Sequence, residues 1–470
     1  MRVLVINTNR ERSPQALLPI GACLVAAAAE RAGQEVRFLD LCFSRDPRRA
    51  AAAAVASFSP DVIGLSIRNL DNCDYLNPHS YLPAGRDLVA TLRAACSAEI
   101  VLGGSAVSQV PFALARYLGC RWAVVGAGEV TFPALLQALA DGADPAALPG
   151  VADAEREDLF VPAPPGEDLS APQSPALERW LDLSRYRARD ASWPVQSKRG
   201  CASRCTYCVY PLLEGATYRR REPELVREEA ATARRAGLRL VEFVDSIFGL
   251  PADHALACCE ALARRPVGLP LSAMELNPAA ITPELVGAMN AAGFSGVAVT
   301  AESGSDAMLA SLGKGFTAEA LGQARDHLRH LRASVMWIFL LGGPGETPET
   351  VRETARFLDT LPPSHLVLVT HGVRVLPRTA LHGRLLASGE LSPAEDLLLP
   401  TFYHSPAITP AASERILAES RFPVGSRVML GDGGHRWLPL AQRVMATCGV
   451  RPPYWRQLRS LNRLRRVLGA

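Results

Sequence analysis

The chain predicts an α/β protein in two parts: an N-terminal doubly wound, Rossmann-like parallel sheet, then a partial (β/α)6 TIM-type barrel with a small C-terminal extension. Three observations carry this reading. Short apolar runs alternate with helix-length stretches over residues 1–141, periodicity is lost in a Pro-, Ala- and acid-rich stretch at 142–190, and alternation resumes over 191–382. At 470 residues with 48% hydrophobic content, the chain is long and apolar enough to bury more than one core.

In the first part the predicted strands are Val3–Ile6, Val36–Leu41, Val62–Ser66, Ile100–Leu102 and Trp122–Val125. Helical patterns at Leu17–Ala32, Arg49–Phe58, Leu82–Ala95, Pro111–Leu118 and Thr131–Asp141 follow them. Parallel neighbours need crossovers of about this length, so a doubly wound sheet follows. Ligands in such sheets bind beyond the carboxyl ends of the strands, which points to the loops Asn7–Ser13, Ile67–Pro83, Gly103–Gln109 and Gly126–Glu129. Residues 142–190, with Pro162-Ala163-Pro164-Pro165-Gly166, read as an interdomain linker. The barrel strands are predicted at Val195–Ser197, Leu240–Val244, Leu271–Met274, Val297–Thr300, Ser334–Leu341 and Leu366–Arg374. Chemistry in such a barrel belongs at the C-terminal strand ends. Residues 383–470, punctuated by Pro393, Pro400, Pro406 and Pro410, form the extension; Phe402-Tyr403-His404 and Trp437 in it are candidates to cap the barrel.

A formal net charge of +3 gives no reason to invoke nucleic acid or an anionic membrane as partner. Arg459, Arg463 and Arg466 are read as one solvated face of a terminal helix. The N-terminus begins as a buried strand with no secretory pattern, and the apolar run Leu17–Ala29 is broken by Pro19 and Gly21. Eleven cysteines, an odd number, mostly lie singly in apolar stretches, as do Cys23, Cys42, Cys96, Cys120 and Cys448; that pattern suits buried thiols in a reducing cytoplasm.

One motif carries chemistry. Lys198-Arg199-Gly200-Cys201-Ala202-Ser203-Arg204-Cys205-Thr206-Tyr207-Cys208 sets C-x3-C-x2-C in a loop directly after a strand. Three thiolates at this spacing can ligate three irons of one cubane and leave the fourth open. Zinc would need a further ligand, and no second C-x2-C or H-x3-H pair follows. Cys258-Cys259, adjacent on a predicted helix, is read as structural.

The loop and the barrel behind it resemble the radical S-adenosylmethionine (SAM) superfamily. The resemblance implies a 4Fe–4S cluster on Cys201, Cys205 and Cys208 whose open iron chelates SAM, and an external electron donor such as flavodoxin or ferredoxin. Further stretches are similar to family positions: the loop aromatic Tyr207; Asp245, at the end of the second strand, equally readable as a helix N-cap; Glu302 and Ser303 in Glu-Ser-Gly after the fourth; Gly342 and Gly343 in a turn after the fifth; and Arg374 at the last strand end. All are implied SAM contacts.

A doubly wound domain ahead of such a barrel resembles the cobalamin (B12)-dependent class of that superfamily, in which Ser66–Asn69, Gly103–Ser105 and Val125–Glu129 correspond to loops around the corrin. Arg68, Asn69, Gly103, Gly104, Gly126 and Glu129 are thereby implied cobalamin contacts. The Asp-x-His-x-x-Gly motif that supplies an axial histidine elsewhere is missing, and His79 lacks its context. Around Arg68 the chain is similar to the family's tryptophan-methylating type, in which an arginine lies beneath the metal; a salt bridge from Arg68 to Asp61, Asp71 or Asp74 is the alternative. The implied activity is methyl transfer from SAM through methylcobalamin to a small-molecule or natural-product substrate, by a radical or a polar route. Glu275 or Glu302 could reach the open iron or SAM. A cyclase or rearrangement enzyme using the same cofactors is the alternative, and a non-enzymatic sensor a third reading.

Overall fold

The computed structural model describes residues 1–12, 15–163, 175–423, 427–429, 444, 445, 447, 450 and 454–457. Trp437, Cys448, Arg459, Arg463, Arg466 and the stretch 164–174 of the expected linker lie outside the described residues.

The first sheet contains β1 (Arg2–Asn7), β2 (Glu35–Asp40), β3 (Val62–Ser66), β4 (Glu99–Gly103), β5 (Trp122–Val124) and β6 (Val151–Asp153), in the order β2-β1-β3-β4-β5-β6. The first five are parallel, as the helical crossovers require. This order switches direction between β1 and β3, where a crevice opens at the carboxyl ends. The sixth strand comes from the expected linker and pairs antiparallel with β5, closing that sheet edge. Three residues are too short to show a period. Asp153 holds them in place as a buried carboxylate bonded by Arg121 and Arg156. Further along, the Tyr186 hydroxyl donates to Asp40 of the first domain at 2.9 Å. The stretch is folded wherever it is described.

The second sheet takes up β7 (Trp193–Val195), after which β8 (Lys198–Arg199) and β9 (Arg219–Arg220) form a separate antiparallel ribbon around the cysteine loop. It continues with β10 (Val241–Phe243), β11 (Leu271–Leu276), β12 (Phe294–Glu302), β13 (Ser334–Leu341) and β14 (Leu366–His371). These six parallel strands are the partial barrel that the sequence predicts. After β14 come β15 (Val373–Arg374), its antiparallel partner β16 (Phe402–Tyr403), and β17 (Arg427–Met429), which adds a seventh parallel strand beside β14. In β13 the residues Trp337, Phe339 and Leu341 face the helical layer, while Met336 and Ile338 face the barrel interior, where Trp455 from the C-terminal segment packs on them.

Two buried or nearly buried ion pairs join the halves. Arg374 donates to Asp71 at 2.8 Å, and its other donors meet the carbonyls of Val375, Thr401 and Leu397. Arg199, immediately before the cysteine loop, pairs with Glu129. Around the first pair, Tyr75 stacks on His404 at 5.1 Å and fills the space left by the missing side chain of Gly372.

Removing one partner from a buried pair strands the other charge, at about 3–5 kcal/mol. Arg374→Met is therefore expected to lower the urea unfolding midpoint sharply, and Arg374→Met with Asp71→Asn to recover most of the loss; equal midpoints for wild type and the single variant would contradict the strut.

Candidate functional site

The cysteine loop is held from three sides. Gly200, at φ +91, sits where a Cβ would lie 2.0 Å from the Thr217 carbonyl, so only glycine lets the loop turn here. Thr206 donates its amide to Leu312, and the Leu381 amide donates back to Thr206. Gly313 lets its turn approach the Arg204 carbonyl. Behind the loop Lys198 and Asp245 form a fully buried ion pair at 3.1 Å, and Asp245 also accepts from the Ser197 amide and hydroxyl. His254 meets the Ser197 carbonyl from the next helix.

Cys201 is buried; Cys205 and Cys208 are half-buried. Burial pushes the Cys208 thiol up to about 12 and raises that of Cys205, and each is raised further by Cys201. The three sulfurs thus lie within electrostatic reach of one another. Among the described residues no three Cys, His, Asp or Glu side chains converge on the point that a single metal ion would occupy. Three cysteines are one ligand short of a closed zinc site and supply three of the four ligands a cubane takes, so the donor set fits a cubane with one iron left open.

Beside the loop, the Tyr207 hydroxyl donates to Glu302 at 2.9 Å, and Lys314 reaches the same carboxylate oxygen at 3.3 Å. Glu302 closes β12 with a left-handed backbone, φ 63, a strained conformation of the kind kept at working sites. Glu275 and Tyr210 keep solvent-accessible surface while protein packs around them, Tyr210 on the wall of the first domain's cavity. Burial pushes the Glu275 carboxyl up to about 7, with Glu302 adding to the shift.

At four of the expected SAM positions the side chains, or the space beside the glycines, are taken up by the protein itself. Asp245 has both carboxylate oxygens engaged by Ser197 and Lys198, so it braces the loop. Arg374 is consumed by Asp71 and three carbonyls. Ser303 is fully buried, its hydroxyl shared between Thr354 and the Ser305 amide. At Gly342 and Gly343 the space of the missing side chains is already filled, by the His404 ring and by Met308 and Leu312. The Gly342 amide donates to Glu346, whose carboxylate closes the turn.

In the first domain a cavity of about 490 Å³ opens at the carboxyl ends of β1, β3, β4 and β5. Arg68, Asn69, Gly103, Gly104, Gly126 and Glu129 all line it, and so do Val209, Tyr210, Leu213 and Glu214 from the segment that follows Cys208. Gly103 and Gly126 leave open space, whereas Gly104, at φ +103, is required by the Ile67 carbonyl behind it. No histidine is among the lining residues; His79 is exposed elsewhere. The alternative partners of Arg68 are occupied: Asp61 accepts from the Arg2 amide, Asp71 from Arg374, and Asp74 from the amides of Leu76 and Asn77. Its guanidinium instead stands close enough to Tyr210 to lower that phenol's pKa, though burial still pushes it up to about 12. Glu242, on the barrel side, accepts from Ser192 and Gln15.

Pattern reasoning missed Lys314, Tyr210 and Glu242. Lys314 carries a signal, a lone cation between Gly313 and Gly315; the others lie in unremarkable strand and helix sequence.

Comparison with known proteins agrees with both halves. The model of the radical SAM superfamily matches residues 195–358 and that of the B12 binding domain residues 7–136. Tryptophan 2-C-methyltransferase of Streptomyces laurentii is 25% identical over 416 residues, 75% of this chain and 69% of that protein. The radical S-adenosylmethionine methyltransferase TsrM of Kitasatospora setae, solved with cobalamin and a 4Fe–4S cluster, superposes with TM-score 0.85 at 24% identity over 99% of each chain. Its structure with tryptophan substrate and the SAM analogue aza-SAM gives TM-score 0.86 at 24% identity over the full length of both.

Burial pushes the Glu346 carboxyl from its ordinary 4.5 to about 7, against the opposing pull of Thr350 and the turn amides. The folded state holds that proton more tightly than the unfolded chain, so the associated stability is complete below pH 4.5 and is lost as pH rises through 7. Glu346→Gln keeps the acceptor oxygen without the charge and is expected to remove this part of the pH dependence, read as urea midpoints between pH 4.5 and 8. Parallel pH profiles for variant and wild type would contradict it.

Proposed function

Because the chain belongs to the cobalamin-dependent radical SAM family, we propose that it is a methyltransferase that carries a methyl group from SAM by way of cobalamin to a small molecule. The observation that carries this reading is the facing of two carboxyl edges. The wall of the first domain's cavity continues without a break into the residue after Cys208, and Glu129 on that wall pairs with Arg199 two positions before Cys201.

In this reading Cys201, Cys205 and Cys208 hold the cluster. When bound, the cluster supplies the electron for SAM cleavage and cobalamin the methyl carrier. Lys314 and Glu302 present one cation and one carboxylate beside the loop, suited to the carboxylate and to the ammonium or ribose hydroxyls of SAM. Tyr207 orients Glu302 through its hydroxyl. Tyr207 and Lys314 both meet one oxygen of Glu302 and leave the other for SAM, while Glu275 would be a second carboxylate able to turn towards it. Arg68, on the wall of the cavity, would offer cobalamin a positive group that does not coordinate metal. An external donor of flavodoxin or ferredoxin type supplies electrons. No helix among the described residues is long and apolar enough to cross a membrane. Tryptophan, the substrate bound in the Kitasatospora setae structure, is the first acceptor to try.

Turnover with methyl-labelled SAM decides between this reading and a ring-forming or rearranging enzyme. Label in the product is expected, whereas product formed with label only in methionine contradicts methyl transfer. Serine at position 201, 205 or 208 is expected to remove most bound iron, the broad sulfur-to-iron absorption and turnover together. Full iron content in these variants would contradict the ligand assignment.

A further inference from the structure

We propose that the first domain selects among cobamides, the corrinoids that differ in their lower base, taking an alkylated benzimidazole such as that of cobalamin and discriminating against purines. This rests on the cobalamin reading and adds a specificity to it, set by an apolar slot that runs from the cofactor cavity into the layer between the sheet and two helices.

The cavity does not stop at the carboxyl ends of the strands. Val5, Gly64 and Val101 line it, and they are registered neighbours on β1, β3 and β4. Each lies two residues before its strand ends, at Asn7, Ser66 and Gly103, and so about 7 Å below the rim. Side chains alternate across a strand, so the three mark one face of the sheet, the face that packs on the helices Ile20–Arg31 and Gly128–Asp141. Val124, Leu24 from the first of these helices and Phe132 from the second complete the slot. Glycine in a strand interior weakens it and marks a close approach. At Gly64 a Cβ would lie 3.1 Å from the tip of the Phe132 ring, so the missing side chain lets that ring rest against β3 as a wall of the slot.

Among the described residues nothing on the wall of this slot answers a polar group. The polar side chains that the first domain gives the cavity, Asn7, Ser66, Arg68 and Asn69 among them, stand at or beyond the strand ends. β1, β3 and β4 are each paired on both sides, so their backbone groups are spent in the sheet. Val5, Val101 and Phe132 are all but closed to water. A cobamide has one part that is flat, narrow and free of amides, its lower base; the corrin is broader and fringed with amides. Dimethylbenzimidazole brings methylated carbon edges to such a slot. Adenine brings an exocyclic amine and further ring nitrogens, which would be buried there without partners, and a buried polar group left unpaired lowers affinity roughly tenfold or more.

The test uses cluster-loaded protein freed of corrinoid and three probes in the cob(II) form: cobalamin, its adenine-base counterpart, and cobinamide, which lacks base and nucleotide. Equilibrium dialysis with corrin absorption as the readout gives the three affinities. Wild type is expected to bind cobalamin roughly tenfold or more tightly than the adenine cobamide. Gly64→Val, which drives the Phe132 ring into the slot, should bring cobalamin down to the level of cobinamide and leave cobinamide itself unchanged, which also reports that the variant is folded. Val101→Thr keeps the branched shape of valine but sets a hydroxyl in the slot, and should narrow the gap between the two bases without moving cobinamide. Equal affinity of wild type for the two bases, cobinamide bound as tightly as cobalamin, or a gap that survives both substitutions overturns the proposal and leaves the cofactor assignment standing. Failure to bind any of the three corrinoids overturns the cofactor assignment and the proposal with it.

Discussion

Two ion pairs that span the domain boundary, Asp71 with Arg374 and Glu129 with Arg199, set the geometry on which everything else depends. Each parallel sheet offers a ligand crevice only at the carboxyl ends of its strands. Two such crevices make one reaction space only if they are turned face to face. The pairs mark that arrangement, because each forms only where the two edges meet and is then held largely out of water. Tyr75 and His404 add a stacked contact on one side, and Gln15 with Glu242 a polar contact on the other.

Within this frame the cysteine loop is built more rigidly than a surface turn would be. Gly200, Gly313 and the Lys198–Asp245 pair hold its backbone from several sides. A loop braced in this way has less conformational entropy to lose on binding a ligand.

Much of this was legible in the sequence because it is local. The C-x3-C-x2-C spacing, the glycines of the first domain's loops and the six barrel strands are each written in a few consecutive residues. The cavity is lined by all six of the first-domain residues that the family resemblance implies. What could not be read was pairing across long separations. Arg374 looks like a ligand contact at a strand end, but its partner is 303 residues away; Asp245 looks like one too, and its partner is 47 residues away. A charged residue at a strand end announces that its charge must be met and leaves open by what. The strand at Val151–Asp153 was hidden for a related reason, since three residues acquire a structure only against the edge they cover.

The claim that the two cofactor sites share one chamber is tested most directly by electron paramagnetic resonance of the protein loaded with cob(II)alamin and a reduced cluster. The account expects the cobalt signal to be broadened or split by the neighbouring cluster spin, and to sharpen again when the three loop cysteines are replaced by serine. A cobalt spectrum indifferent to the state of the cluster would place the sites apart and contradict the facing of the two sheets.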